Sequence, residues 1–140
     1  MTYALQADMV TALGEDELIQ LTDRADPPVG AIDADVLTRA LEAADGEINS
    51  YLATRYTLPL VIASGDTILR DCAVDIARYR LHDRGVPDRV RDAYKDRIAW
   101  LRDVAAGKAS LGIAPENLTP NSAGLPEMTS GGRVFARETL

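Results

Sequence analysis

The chain is poor in the residues that most chemistry needs. It has one cysteine and one histidine in 140 residues. A lone cysteine, Cys72, excludes an internal disulfide and a multi-cysteine zinc site. A lone histidine, His82, removes most histidine-based metal and catalytic sites. Cys72 and His82 fall ten residues apart on one expected helix, roughly 15 Å by helical rise, so they cannot form a thiol–imidazole pair within one chain. No run of eighteen apolar residues occurs, which excludes a transmembrane helix. The segment from Met1 to Val10 has no basic start and carries Asp8, so it does not read as a signal peptide. No phosphate-binding loop and no Gly-x-Ser-x-Gly turn is present, and Gly131-Gly132-Arg133 matches no nucleotide fingerprint. An excess of basic residues is also missing. The net charge is −7, and residues 1–60 hold eleven acids, Asp8 through Glu47, against three bases, Arg24, Arg39 and Arg55. That argues against a primary role in nucleic-acid binding, which needs clustered Lys and Arg on phosphates. It suits solubility, or a partner with a basic surface.

What remains is an ordinary globular composition, 46% hydrophobic and 26% charged. The length suits a single domain that buries roughly two thirds of its unfolded surface. The apolar spacing is helical throughout the first three quarters. A short helix over 5–13 puts Leu5, Met9, Val10 and Leu13 on one side, and Gly14 stops it. A second short helix opens with Glu15, Asp16 and Glu17, where the helix dipole favours acids, and runs to the break at Asp26-Pro27-Pro28-Val29-Gly30. The first long helix spans about 33–55 with Asp33 as N-cap and a stripe of Val36, Leu37, Ala40, Leu41, Ala44, Ile48, Tyr51 and Leu52. Gly46 inside it suggests close contact with another helix. The second long helix spans about 66–83, capped by Ser64 or Asp66, with Ile68, Leu69, Cys72, Ala73, Ile76, Ala77, Tyr79 and Leu81 inward. Gly85 and Pro87 punctuate the way to the third, about 87–106, lined by Val90, Tyr94, Ile98, Leu101 and Ala105. The fold class is therefore all-α: three long helices, short N-terminal helices and an extended C-terminal arm.

Two regions follow from this, a helical domain over 1–107 and an arm over 108–140. The arm carries Pro115, Pro120, Pro126 and four glycines. Such a segment cannot build its own core and is ordered by a partner or not at all. Arg133-Val134-Phe135-Ala136-Arg137 alternates as an edge strand would, so Arg133, Phe135 and Arg137 are candidates for strand addition to a neighbour. Arg78 and Arg80 belong to a run of basic residues across two helices. Interleaved acids make an ion-paired solvated face the simplest account, while the alternative is that Arg78 and Arg80 face the acidic half of a neighbouring copy. The remaining polar clusters are ordinary. Asp33 and Asp35 are cap and first-turn acids, and Asp45-Gly46-Glu47 lacks the spacing of a calcium loop. No catalytic, cofactor-binding or metal-ligating set emerges, and nothing supports an enzyme.

One pattern is more specific than composition. Asp45-Gly46-Glu47-Ile48-Asn49-Ser50 leads into Tyr51-Leu52-Ala53-Thr54-Arg55-Tyr56-Thr57-Leu58-Pro59-Leu60. Ile76-Ala77-Arg78-Tyr79, Tyr94-Lys95-Asp96, Trp100-Leu101 and Gly107-Lys108 follow, and Asp8 with the stretch from Gly14 to Asp23 precedes. Over about residues 3–108 this resembles a family of small proteins from the head-morphogenesis region of Mu-like phages and prophages. Tyr51, Leu52, Arg55, Tyr56 and Pro59 are its distinctive residues. The resemblance implies a virion structural protein without a cofactor: a head–tail connector, adaptor or head-completion protein. Such a protein is expected to form a ring beneath the portal and bind the portal and the next neck or tail component. DNA would pass through the ring without sequence-specific binding, and no membrane is involved. The expected location is the head–tail junction of the virion, reached from the host cytoplasm. The other readings are a tail-completion protein and a regulatory helical module that binds a host or phage protein. Within the motif, Arg55 suits a helix C-terminus, Tyr56 a buried ring with a bonded hydroxyl, and Pro59 a fixed loop.

Overall fold

A computed structural model describes residues 2–60 and 67–112. Among them are five helices and no sheet: α1 (Gln6–Leu13), α2 (Glu15–Thr22), α3 (Ala34–Leu52), α4 (Thr67–Leu81) and α5 (Asp88–Ala106). The all-α class and three long helices stand as the periodicity requires. Ser64 and Asp66, the expected caps of α4, lie outside the described residues, as do Arg133, Phe135, Arg137 and the arm beyond Gly112.

The helices start and stop where local chemistry dictates. Asp33 caps α3, its carboxylate accepting the amides of Asp35 and Val36 at 3.0 and 3.3 Å. A cap of this kind contributes about 1 kcal/mol. Gly14 takes φ +90° between α1 and α2, a backbone angle that glycine alone adopts without cost. Gly107 ends α5 in the left-handed region at φ +83°. The amides of Gly107 and Lys108 then bond back to the carbonyls of Val104 and Asp103, closing a Schellman turn.

Helix α4 is central, packing against α3, α5 and α1, and α3 also touches α5. One cluster joins Leu37, Leu41, Ala44, Ile48 and Leu52 of α3 with Leu69, Cys72, Ala73, Ile76 and Ala77 of α4 and Ile98, Leu101 and Val104 of α5. Met9 and Leu18 close it from the N-terminal helices. Being surrounded explains why α4 also buries Val74, off the expected stripe.

Four expectations are corrected. Leu5 is 62% exposed: it is the extended residue before α1, so its side chain does not follow the helical stripe. Ile68 is 48% exposed, in the first turn of α4 at the outer end of its stripe. On α5, Val104 takes the buried place expected of Ala105, three residues after Leu101 instead of four. Gly46 makes no close helix contact, since a Cβ there would meet nothing within 4 Å. Gly46→Ala is therefore expected to raise stability by about 0.5–1 kcal/mol through backbone entropy. An increased urea midpoint with an unchanged slope checks it.

Candidate assembly surface

Polar side chains tie the helices together from the edges of the core. Glu47 of α3 is the hub. Its Oε2 accepts Arg80 Nη2 at 2.7 Å, and its Oε1 accepts the Tyr94 hydroxyl at 2.6 Å, so one carboxylate joins α3, α4 and α5. The Tyr94 ring stacks on Tyr79 at 4.0 Å between centroids, with planes 8° apart. Arg78 donates through Nε and Nη2 to one oxygen of Glu17, at 2.9 and 2.6 Å, joining α4 to α2. Arg97 Nε donates to Asp75 Oδ2 at 2.7 Å, joining α5 to α4. Arg78 and Arg80 were candidates for facing a neighbour's acids; among the described residues, the acids they meet belong to their own chain.

A second set fixes the N-terminus and the loops. The Tyr3 amide donates to Asp45 Oδ1 at 3.1 Å, and its hydroxyl to Asn49 Oδ1 at 2.5 Å, laying Tyr3 along one face of α3. Asp45 is nearly buried, and that burial raises its carboxyl above the usual aspartate value. Thr22 is fully buried, donating to the Leu18 carbonyl at 2.7 Å and accepting the Asp33 amide at 3.0 Å. It thereby seats the first turn of α3 on the end of α2. Asp45, Glu47 and Thr22 were not singled out as structural from the sequence. The available signal was Asp45, a charge on the same face as Leu41, Ile48 and Leu52.

The distinctive motif residues serve mainly the fold. Leu52 and Tyr56 are buried, and Tyr51 is half-buried. Arg55 lies just past α3 but serves another helix: its Nη1 donates to Val104 O of α5 at 3.1 Å. The cation thus sits at the C-terminal end of α5, where the helix dipole favours it. Gly107 allows this approach, because a Cβ there would come within 3.3 Å of Arg55 Nη1. The Tyr56 hydroxyl accepts the Leu111 amide at 3.5 Å. Pro59 is exposed between half-buried Leu58 and buried Leu60, as a loop-fixing residue should be.

Burial raises the Tyr3 and Tyr94 phenols to about 12, Tyr94 helped by its bond to Glu47. The unfolded chain loses these protons near the ordinary value of 10. The stabilisation is therefore complete below pH 10 and is lost as pH rises from 10 towards 12. Unfolding midpoints are expected to fall over that window. Tyr94→Phe should flatten the decline, and a midpoint constant to pH 12 would contradict the assignment.

Depressions mark the surface of the described residues. An open cleft of about 560 Å³ lies where α2 and α4 end, lined by Gln20, Asp23, Arg24, His82 and Arg84 among others. His82 Nδ1 is 2.8 Å from the Arg78 carbonyl, which orients the ring along its own helix end. Cys72 is buried in the core. A smaller groove of about 230 Å³ runs between α3 and α4. Among the described residues, no group of three or more His, Cys, Asp or Glu side chains is placed to hold a metal. No described helix is long and apolar enough to cross a membrane.

The family described as Bacteriophage Mu, Gp36 matches residues 3–130. The chain is 37% identical over 113 residues to Mu-like prophage FluMu protein gp36 of Haemophilus influenzae, covering 81% of this chain and 79% of that protein. It is 30% identical over 139 residues to gene product J of Escherichia phage Mu, covering 99% of this chain and 96% of the other.

Proposed function

We propose that this chain, which belongs to the Bacteriophage Mu, Gp36 family, is a non-enzymatic structural protein of the virion, acting as a head–tail connector. It assembles as a ring under the portal and presents a surface to the next neck or tail protein. The observation that carries this reading is the match to Mu-like phage proteins along nearly the whole chain, including 99% of it against gene product J. The geometry is in keeping with it. A component that works by binding has to hold its shape, and Arg78–Glu17, Arg80–Glu47 and Arg97–Asp75 bind every long helix to a neighbour. The first sixty residues hold eleven acids against three bases, and Arg78 and Arg80 neutralise only Glu17 and Glu47 among those acids; the excess that remains would let DNA pass a ring without adhering.

Light scattering of the protein alone and mixed with intact portal tests the proposal. A ring formed alone, or one that forms on portal, is the expected result and gives the stoichiometry. A monomer in both conditions would overturn the connector role. It would leave a tail-completion protein or a regulatory helical module as the better reading.

A further inference from the structure

The groove between α3 and the end of α4 is lined by arginines and apolar side chains alone. Val36, Ala40 and Ala43 of α3 and Leu81 of α4 form an apolar floor, surrounded by Arg24, Arg39 and Arg80, and no acidic residue lines it. Two of the arginines are held in place. Arg80 is bonded to Glu47, and Arg24 donates to the Leu81 carbonyl at 3.3 Å and lies 3.8 Å from Asp83. Arg39 is exposed and has no hydrogen bond or ion pair among the described residues. Guanidinium groups around an apolar floor select a carboxylate with a flexible apolar side chain beside it. The volume, about 230 Å³, accommodates one such side chain.

The chain's own sequence contains the matching segment. The acids of α2 do not qualify, because the neighbouring Leu18 is fully buried and cannot serve as the anchor. Residues 113–140 contain three acids, Glu116, Glu127 and Glu138, each followed within two residues by Leu118, Met128 or Leu140. Reach and charge separate them. The Leu111 contact with Tyr56 places the last described residues at the C-terminal end of α3. The groove is on the N-terminal half of α3, on the order of 20 Å away along the helix. Four residues from Gly112 to Glu116 span at most about 14 Å, whereas fifteen to Glu127 span up to about 50 Å. Glu138 also reaches, but Arg137 beside it would meet the groove's own cations. Glu127 has no basic residue nearer than Arg133.

We propose that Glu127 and Met128 of the same chain seat in this groove, the carboxylate on Arg39 and the methionine side chain on the apolar floor. The inference stands apart from the connector role. The test uses the full chain with Ser130→Cys carrying a nitroxide label, Cys72 being buried and so protected from it. The amide signals of Val36, Ala40 and Ala43 are expected to lose most of their intensity. Arg39→Glu should restore them while leaving the remaining spectrum in place, and Arg39→Glu with Glu127→Arg should broaden them again. Absence of broadening, or broadening unchanged by Arg39→Glu, would overturn the proposal. Broadening seen only when a labelled chain is mixed with a separate isotope-labelled chain would overturn seating within one copy and assign the occupant to a neighbour.

Discussion

Leu101→Ala is expected to destabilise the protein by about 3 kcal/mol, within the 2–5 kcal/mol that buried leucines lose on truncation. Leu101 is fully buried on α5, in the cluster that α5 shares with α3 and α4. The loss has two parts: the transfer free energy of the deleted methyl and methylene groups, and the cavity that surrounding helices fill only in part. The second part should be large here. The neighbouring long helices are tied to one another by ion pairs at their edges, which restrains them from closing inwards. Ile68→Ala deletes nearly as much side chain where it is 48% exposed, and should cost well under half as much. Trp100, the single tryptophan, is next to Leu101 and partly buried, so its fluorescence follows the transition. A midpoint lowered by on the order of 10 °C is the expected reading. A cost below about 1 kcal/mol would mean that α5 is not packed as described.

The contrast between Leu101 and Ile68 shows where sequence reasoning reaches. All five helices were legible because each has an apolar period, and α1, α2, α4 and α5 each have a physical terminator: Gly14, the Pro27-Pro28 break, Gly85 with Pro87, and Gly107. Faces were legible where a helix keeps a continuous exposed side, as α3 does through Arg39, Glu42, Gly46 and Ser50. The face was less legible on α4, which buries three consecutive residues, Cys72, Ala73 and Val74. Leu5 was misplaced because a stripe cannot show that its first residue has already left the helix. Contacts across the fold were the least legible. Glu17 with Arg78 and Glu47 with Tyr94 are 61 and 47 residues apart, and no local spacing distinguishes them from the other acids. Arg55 was correctly read as a helix-end cation, but the helix it serves is α5, forty-nine residues on.

The largest effect expected from such a long-range contact is at Glu47. Its side chain is 15% exposed and accepts two hydrogen bonds, one from a cation. Glu47→Ala leaves the Tyr94 hydroxyl and the Arg80 guanidinium without their acceptor. Hydrogen bonds to charged groups contribute about 1.5–3 kcal/mol, and Arg80 is partly exposed and regains water, so a loss of about 2 kcal/mol is expected. Glu47→Gln keeps an oxygen for Tyr94 but loses the charge facing Arg80, and should cost about half of that. Tyr94→Phe removes one donor while keeping the ring on Tyr79, which isolates the hydroxyl from the stack. The decisive quantity is the coupling in a Glu47→Ala, Tyr94→Phe cycle read from denaturant midpoints. If the carboxylate and the phenol act on each other, the double variant loses less than the sum of the singles by about 0.5–1 kcal/mol. Strict additivity would show that Glu47 works through Arg80 alone. The join between α3 and α5 would then rest on apolar packing, and the raised Tyr94 phenol would rest on burial alone.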